Sequence, residues 1–160
     1  MKKEVKMKIR NARKEDLAQI IALYVPYLRH QRKFSKWLGN SKKKIDIGEL
    51  TLGIERLISK KGFLFLVAER KNKIQGFVYV EILSAKESRT DKKVAEIVDI
   101  YSHIKRKGIG KLLFKEVEKW AKTNNIYYIL WEFMTENKNA EKFCIKNGFR
   151  DFKTKMLKKV

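Results

Sequence analysis

The chain has 160 residues, 39 Lys/Arg against 18 Asp/Glu and a formal net charge of +21, a length that suits one domain over 1–160 able to bury its own core. With Cys144 the only cysteine and His30 and His103 the only histidines, neither an intrachain disulfide nor a Cys/His zinc centre can be assembled, so no metal and a reducing, cytoplasmic setting are expected. Anionic ligands are favoured; the basic runs Arg29 to Lys44 and Lys153 to Lys159 point to nucleic acid or anionic lipid in their sharper reading, and to a solvated Lys-rich surface in the stronger one.

Met7 to Asn11 alternates enough for a first strand. A helix follows with Leu17, Ile20, Ile21 and Tyr24 on its apolar face, and Pro26 is expected to end or kink it. Ile20 to Leu28 has the length of a signal-peptide core, but the charges before it, Pro26 within it and the lack of a small-residue cleavage pattern favour an ordinary helix. That run also falls far short of the roughly 20 apolar residues that span a bilayer. A second helix is expected from about Ile47 to Lys60, stopped by Gly62.

Phe63 to Glu69 and Ile74 to Leu83 flank the turn-like Lys71-Asn72-Lys73, which is a hairpin signal. Ser84 to Lys93 is polar and reads as a turn, Val94 to Tyr101 as a strand, and Lys111 to Lys122 as a helix carrying Leu112, Leu113, Val117 and Trp120. A strand at Tyr127 to Phe133, a helix from about Asn139 to Lys146 stopped by Gly148, and a last strand near Phe149 to Leu157 complete the pattern. Hairpins mixed with helical crossovers predict an α/β (α+β) architecture, a mixed sheet covered by helices.

Lys105-Arg106-Lys107-Gly108-Ile109-Gly110 stands between an apolar strand and an amphipathic helix. Two glycines two residues apart allow a tight turn that brings backbone N–H groups to a ligand, and the helix start adds more N–H groups and a positive dipole end. The stretch reads as a cradle for phosphate or pyrophosphate, hence for a nucleotide-like cofactor. It is neither of the common glycine-rich loops: Leu113 occupies the third small position of the dinucleotide fingerprint, and no glycine lies five residues before Gly110-Lys111.

Val94 to Ile100, the glycine turn and Leu112-Leu113-Phe114 together resemble the acyl-CoA motif of the GNAT N-acetyltransferases, Gln/Arg-x-x-Gly-x-Gly/Ala, with Lys105 at the Gln/Arg place. Asn137, Ala140, Phe143, Gly148 and Phe149 match the C-terminal pattern of that family, with Cys144 where a tyrosine is usual. Met7-Lys8-Ile9-Arg10, Glu15-Asp16-Leu17, Phe65 to Glu69 and Ile74-Gln75-Gly76-Phe77 extend the resemblance over essentially the whole chain. It implies a mostly antiparallel sheet with a splayed strand pair, and acetyl-CoA bound in that opening. The cofactor-binding residues would be Val98, Ile100, Lys105, Arg106, Lys107, Gly108, Ile109, Gly110, Lys111, Asn137 and Phe143, with a backbone N–H near Ile100 polarising the thioester.

Two carboxylates lie on the strand before the turn. Their odd separation predicts opposite faces, and Glu96 is favoured as the base because Val98 and Ile100 share its face; solvated or lysine-paired carboxylates are the competing reading. By the resemblance Cys144 would protonate the departing thiolate, although a small cysteine beside Phe143 on an amphipathic helix also suits packing. Trp131, Phe133, Met134, Trp37 and Tyr27 are candidates for the acceptor wall, and His103 reads as a solvated loop residue.

The expected activity is acetyl-CoA-dependent N-acetylation of a primary amine. A basic nucleic-acid or ribosome-associated module and an inactive acyl-CoA sensor are the alternatives; no membrane partner is expected, and a homodimer is left open. The net positive charge argues for an amino acid, peptide or protein acceptor over a polyamine or aminoglycoside, unless a local acidic pocket reverses that field.

Overall fold

The computed structural model describes residues 6–34, 44–104 and 107–158. Among the described residues, five strands form one sheet in the order β1 (Lys8–Asn11), β2 (Phe63–Arg70), β3 (Lys73–Ile82), β4 (Val94–Ser102), β5 (Tyr128–Trp131). All neighbours run antiparallel except β4 and β5, which are parallel. The helices are α1 (Leu17–Gln31), α2 (Ile47–Ser59), the single turn α3 (Ala85–Ser88), α4 (Ile109–Thr123) and α5 (Lys138–Lys146).

Strand alternation sorts the core into two layers. Phe65, Val67, Phe77 and Tyr79 face Ile20, Leu23, Tyr24 and Tyr27 of α1 and Ile54 of α2. Leu64, Leu66, Ala68, Val78 and Val80 face Ile109, Leu113, Phe114 and Val117 of α4. Both faces of the central strands are thus buried, which is why β2 and β3 read as near-continuous apolar runs. The β2–β3 hairpin turns on Lys71 and Asn72, both at positive φ (51° and 58°), a conformation that Asn tolerates well and Lys less so.

Four expectations are corrected. Pro26 does not end α1, which continues to Gln31. A proline inside a helix costs about 3 kcal/mol, and buried Tyr24 and Tyr27, docked on the sheet at either side of it, hold the turns in place. Polar Ser84 to Lys93 contains α3, started by a reciprocal cap in which the Glu87 N–H donates to Ser84 Oγ and the Ser84 N–H to Glu87 Oε2. The segment 149–158 forms no strand: Phe149 packs on Phe114, while Phe152, Met156 and Leu157 are exposed. Alternation creates a strand only where a neighbour offers a ladder, and no described strand pairs with this segment.

The fourth correction bears on function. Tyr79 pairs with Asp99 but Val80 pairs with Ile97, so Val98 is an extra residue bulged out of β4. Beyond the bulge the alternation is reversed. Asp99 opposite Tyr79 and Glu96 opposite Glu81 therefore share the α1/α2 face, and Ile100 packs on the α4 side.

Candidate active site

The β4–β5 ladder runs from Val94–Tyr128 to Ile97–Trp131 and stops there. From Asp99 to Ser102, β4 stays paired with β3, and from Val98 onward it has no ladder partner on its other side among the described residues. The two parallel strands therefore part at the bulge, leaving a strip of free backbone N–H and C=O groups that an extended, amide-bearing ligand can pair with.

The same opening ends at α4. Gly108 is the N-cap of that helix, at φ 73° and ψ 6°, and offers no side chain to the first-turn N–H groups. Elsewhere Asp46 caps α2, Ser84 caps α3 and Asn137 caps α5 with side-chain oxygens. The start of α4 thus keeps donors and a positive dipole end available, with Lys107 and Lys111 beside them. Lys105 and Arg106, expected to join this cradle, lie outside the described residues, as do Trp37 and much of the basic run from Arg29 to Lys44.

Helix α5 packs against this end. A Cβ on Gly110 would stand 3.6 Å from the Phe143 ring, ordinary contact, and Phe143 meets Phe114 and Trp131 edge-on. The Asn137 side-chain oxygen accepts the Ala140 N–H at 3.2 Å, so it starts α5. Cys144 is buried, and burial pushes its thiol up to about 11, which keeps it protonated at neutral pH.

Across the sheet lies a second set of groups. The Asp99 carboxylate accepts hydrogen bonds from the hydroxyls of Tyr24 and Tyr27. Burial first, and the Asp99 charge second, push both phenols well above the usual tyrosine range, so they remain donors. Tyr27 also meets Phe77 and Tyr101. Glu96 is half-buried, and burial, followed by the charges of Glu132 and Glu81, raises its carboxyl above the ordinary range. Lys155 is held by Glu132 at 2.7 and 3.0 Å.

The free strand edge and Asp99 thus lie on the second half of β4, next to the uncapped glycine turn, with Glu96 just before the bulge. A family model described as the acetyltransferase (GNAT) family matches residues 15–149. The chain belongs to the GNAT acetyltransferase family.

Solved structures agree with that GNAT assignment at the level of the fold. An aminoglycoside N-acetyltransferase, AAC(6')-Iy, solved with CoA, superposes with a TM-score of 0.79 at 15% identity over 100% of this chain and 98% of that one. An aminoglycoside acetyltransferase from an uncultured soil metagenomic sample, solved with sisomicin, gives 0.68 at 18% identity over 96% of each chain. A ribosomal-protein-alanine N-acetyltransferase from Brucella melitensis biovar Abortus 2308 gives 0.70 at 17% identity over 95% and 98%. No curated protein sequence matches the chain.

The residues fit a GNAT cofactor: uncapped helix donors suit its diphosphate, and the free β4 edge suits its amide-containing arm. Sequence reasoning placed Gly108, Gly110, Phe143 and Glu96 at this opening but treated Tyr24 only as part of an apolar helix face. Two tyrosines three positions apart on one helix were the available signal. Trp131 packs with Phe143, Met134 is exposed, and His103 is an exposed residue whose N–H donates to the Gln75 carbonyl.

Proposed function

We propose that the chain is an acetyl-CoA-dependent N-acetyltransferase that acts on a primary amine by direct attack. The observation that carries the reading is the parting of β4 from β5 after Ile97, aimed at the uncapped start of α4. Acetyl-CoA supplies an activated acyl carbon; the amine nitrogen bonds to it, the C–S bond breaks, and the CoA sulfur leaves with the electron pair.

The chain has four tasks in that exchange. Free N–H groups at Gly108 to Lys111 hold the diphosphate, and the β4 edge at Val98 to Ile100 orients the arm and the thioester oxygen. Glu96, with its raised carboxyl, takes the proton that the amine sheds, since a base works best with affinity near the operating pH. Cys144 stays largely a thiol at neutral pH, which suits returning a proton to sulfur better than attacking as a nucleophile. Asn137 and Phe143 hold α5 against the glycine turn.

Calorimetric titration with acetyl-CoA, paired with a thiol-release assay on mixed primary amines, tests the reading. Binding in the micromolar range with amine-dependent thiol release is expected. No binding at millimolar cofactor would refute it.

A further inference from the structure

The chain has 39 Lys/Arg, yet no described one forms an ion pair with Asp99. Among the described residues no cation pairs with it or with Glu96, whereas Asp16, Glu55, Glu69, Glu116, Glu132 and Glu141 all find one. Its partners are instead two neutral phenols, Tyr24 and Tyr27, delivered from α1 across the core layer. A carboxylate has about four acceptor positions, so two hydroxyls orient it and leave room for further donors. The bulge at Val98 then sets it on the face that carries Glu96.

Their partners on β3, Tyr79 and Glu81, lie two residues apart, which corresponds to about 7 Å along the strand. Glu81 and Glu132 add negative charge next to Glu96, offset in part by Lys155, which Glu132 holds. This local field opposes the positive charge of the whole chain, reversing the sequence-level argument against polycationic acceptors.

We infer that the tyrosine-clamped Asp99 is the seat for a second, non-reacting ammonium group, and that the preferred acceptors are small diamines or oligoamines whose other amine faces Glu96. The inference rests on the acetyltransferase reading and adds the class of acceptor. Asp99 acts here as a specificity-determining residue; Tyr24 and Tyr27 are positioning residues that fix its carboxylate.

The test compares 1,4-diaminobutane, 1-aminobutane and 4-amino-1-butanol as acceptors by thiol release. Wild-type protein is expected to favour the diamine in kcat/KM by about ten- to a hundredfold over both others, mainly through KM, as suits a hydrogen-bonded charge pair. In Asp99→Asn, which keeps an acceptor oxygen for the tyrosines, the preference should fall toward one, and in Tyr27→Phe it should fall part of the way. The hydroxyl analogue makes the comparison in wild-type protein alone, whatever the variants do to folding. Equal kcat/KM for the three amines, or an undiminished preference in a folded Asp99→Asn, would overturn the inference while cofactor binding and turnover kept the enzyme reading intact. Loss of acetyl-CoA binding in wild-type protein would remove both.

Discussion

Arg10 grips Asp16 at two points, Nη1 to Oδ2 at 2.6 Å and Nη2 to Oδ1 at 2.8 Å, while its Nε donates to Glu69 at 2.6 Å. Asp16 is buried and also accepts the Arg13 N–H. One ion cluster thus ties β1, β2 and the entry to α1, the helix that delivers both tyrosines.

The Arg10 hydrogen bond, opposed by burial, holds the Asp16 carboxyl below the usual carboxylate range. A carboxylate depressed on folding contributes stability that is present above its unfolded value of about 3.9 and lost as pH falls through the lower folded value. Denaturant titrations should show stability falling with acid below about pH 4. Asp16→Asn should cost about 3 kcal/mol at pH 7 and flatten that acid limb, because it leaves a largely buried guanidinium short of a partner.

Glu96 predicts the opposite sign. Its carboxyl is raised in the folded state, so ionisation opposes folding and stability declines as pH rises through the folded value. Glu96→Gln should therefore melt higher than wild type at pH 8 while kcat drops by about a hundredfold or more. The wild-type rate should rise with pH above the ordinary carboxylate range, and this limb should vanish in the variant. A variant with wild-type kcat would remove Glu96 as the base.

Gly76 admits no side chain. A Cβ there would lie 2.6 Å from the Tyr101 carbonyl oxygen and 3.2 Å from both Ser102 Cα and Ile109 Cγ2. Gly76→Ala must push β4 away from β3 or shift the start of α4. Thermal melts should register about 2–3 kcal/mol of destabilisation, and acetyl-CoA affinity should fall with it, since both displaced elements border the opening.

Gly108 has open space around it but a left-handed backbone. Gly108→Ala should cost only about 1 kcal/mol of stability, because the penalty is conformational. Calorimetry should nevertheless find acetyl-CoA bound about tenfold more weakly, a loss of about 1.4 kcal/mol.

Cys144 should resist an aromatic disulfide reagent at pH 8 in the native protein and react promptly in denaturant, for it is both buried and protonated. Fast labelling of native protein would contradict its packed position.

The legible part of this fold follows from period and punctuation. Phe65, Val67, Phe77 and Tyr79 alternate with Leu64, Leu66, Val78 and Val80, so the central hairpin and its two layers were readable. Gly108 with the amphipathic run behind it marked the anion-binding helix start. The bulge was not readable, because Val98 is an ordinary strand residue and the register slip exists only relative to Tyr79 and Val80 on the partner strand. Assigning Asp99 and Glu96 to opposite faces followed correctly from a regular strand, and this strand is irregular. Pro26 misled for a related reason: local propensity votes for a break, while tertiary anchoring of Tyr24 and Tyr27 outvotes it.

The parting of β4 from β5 is also a liability. Five successive residues, Val98 to Ser102, present an edge that no described strand matches, the kind of surface on which polypeptides add to one another. A ligand seated there would act as a chaperone for its own binding site, so the soluble lifetime of this protein should track the supply of its cofactor.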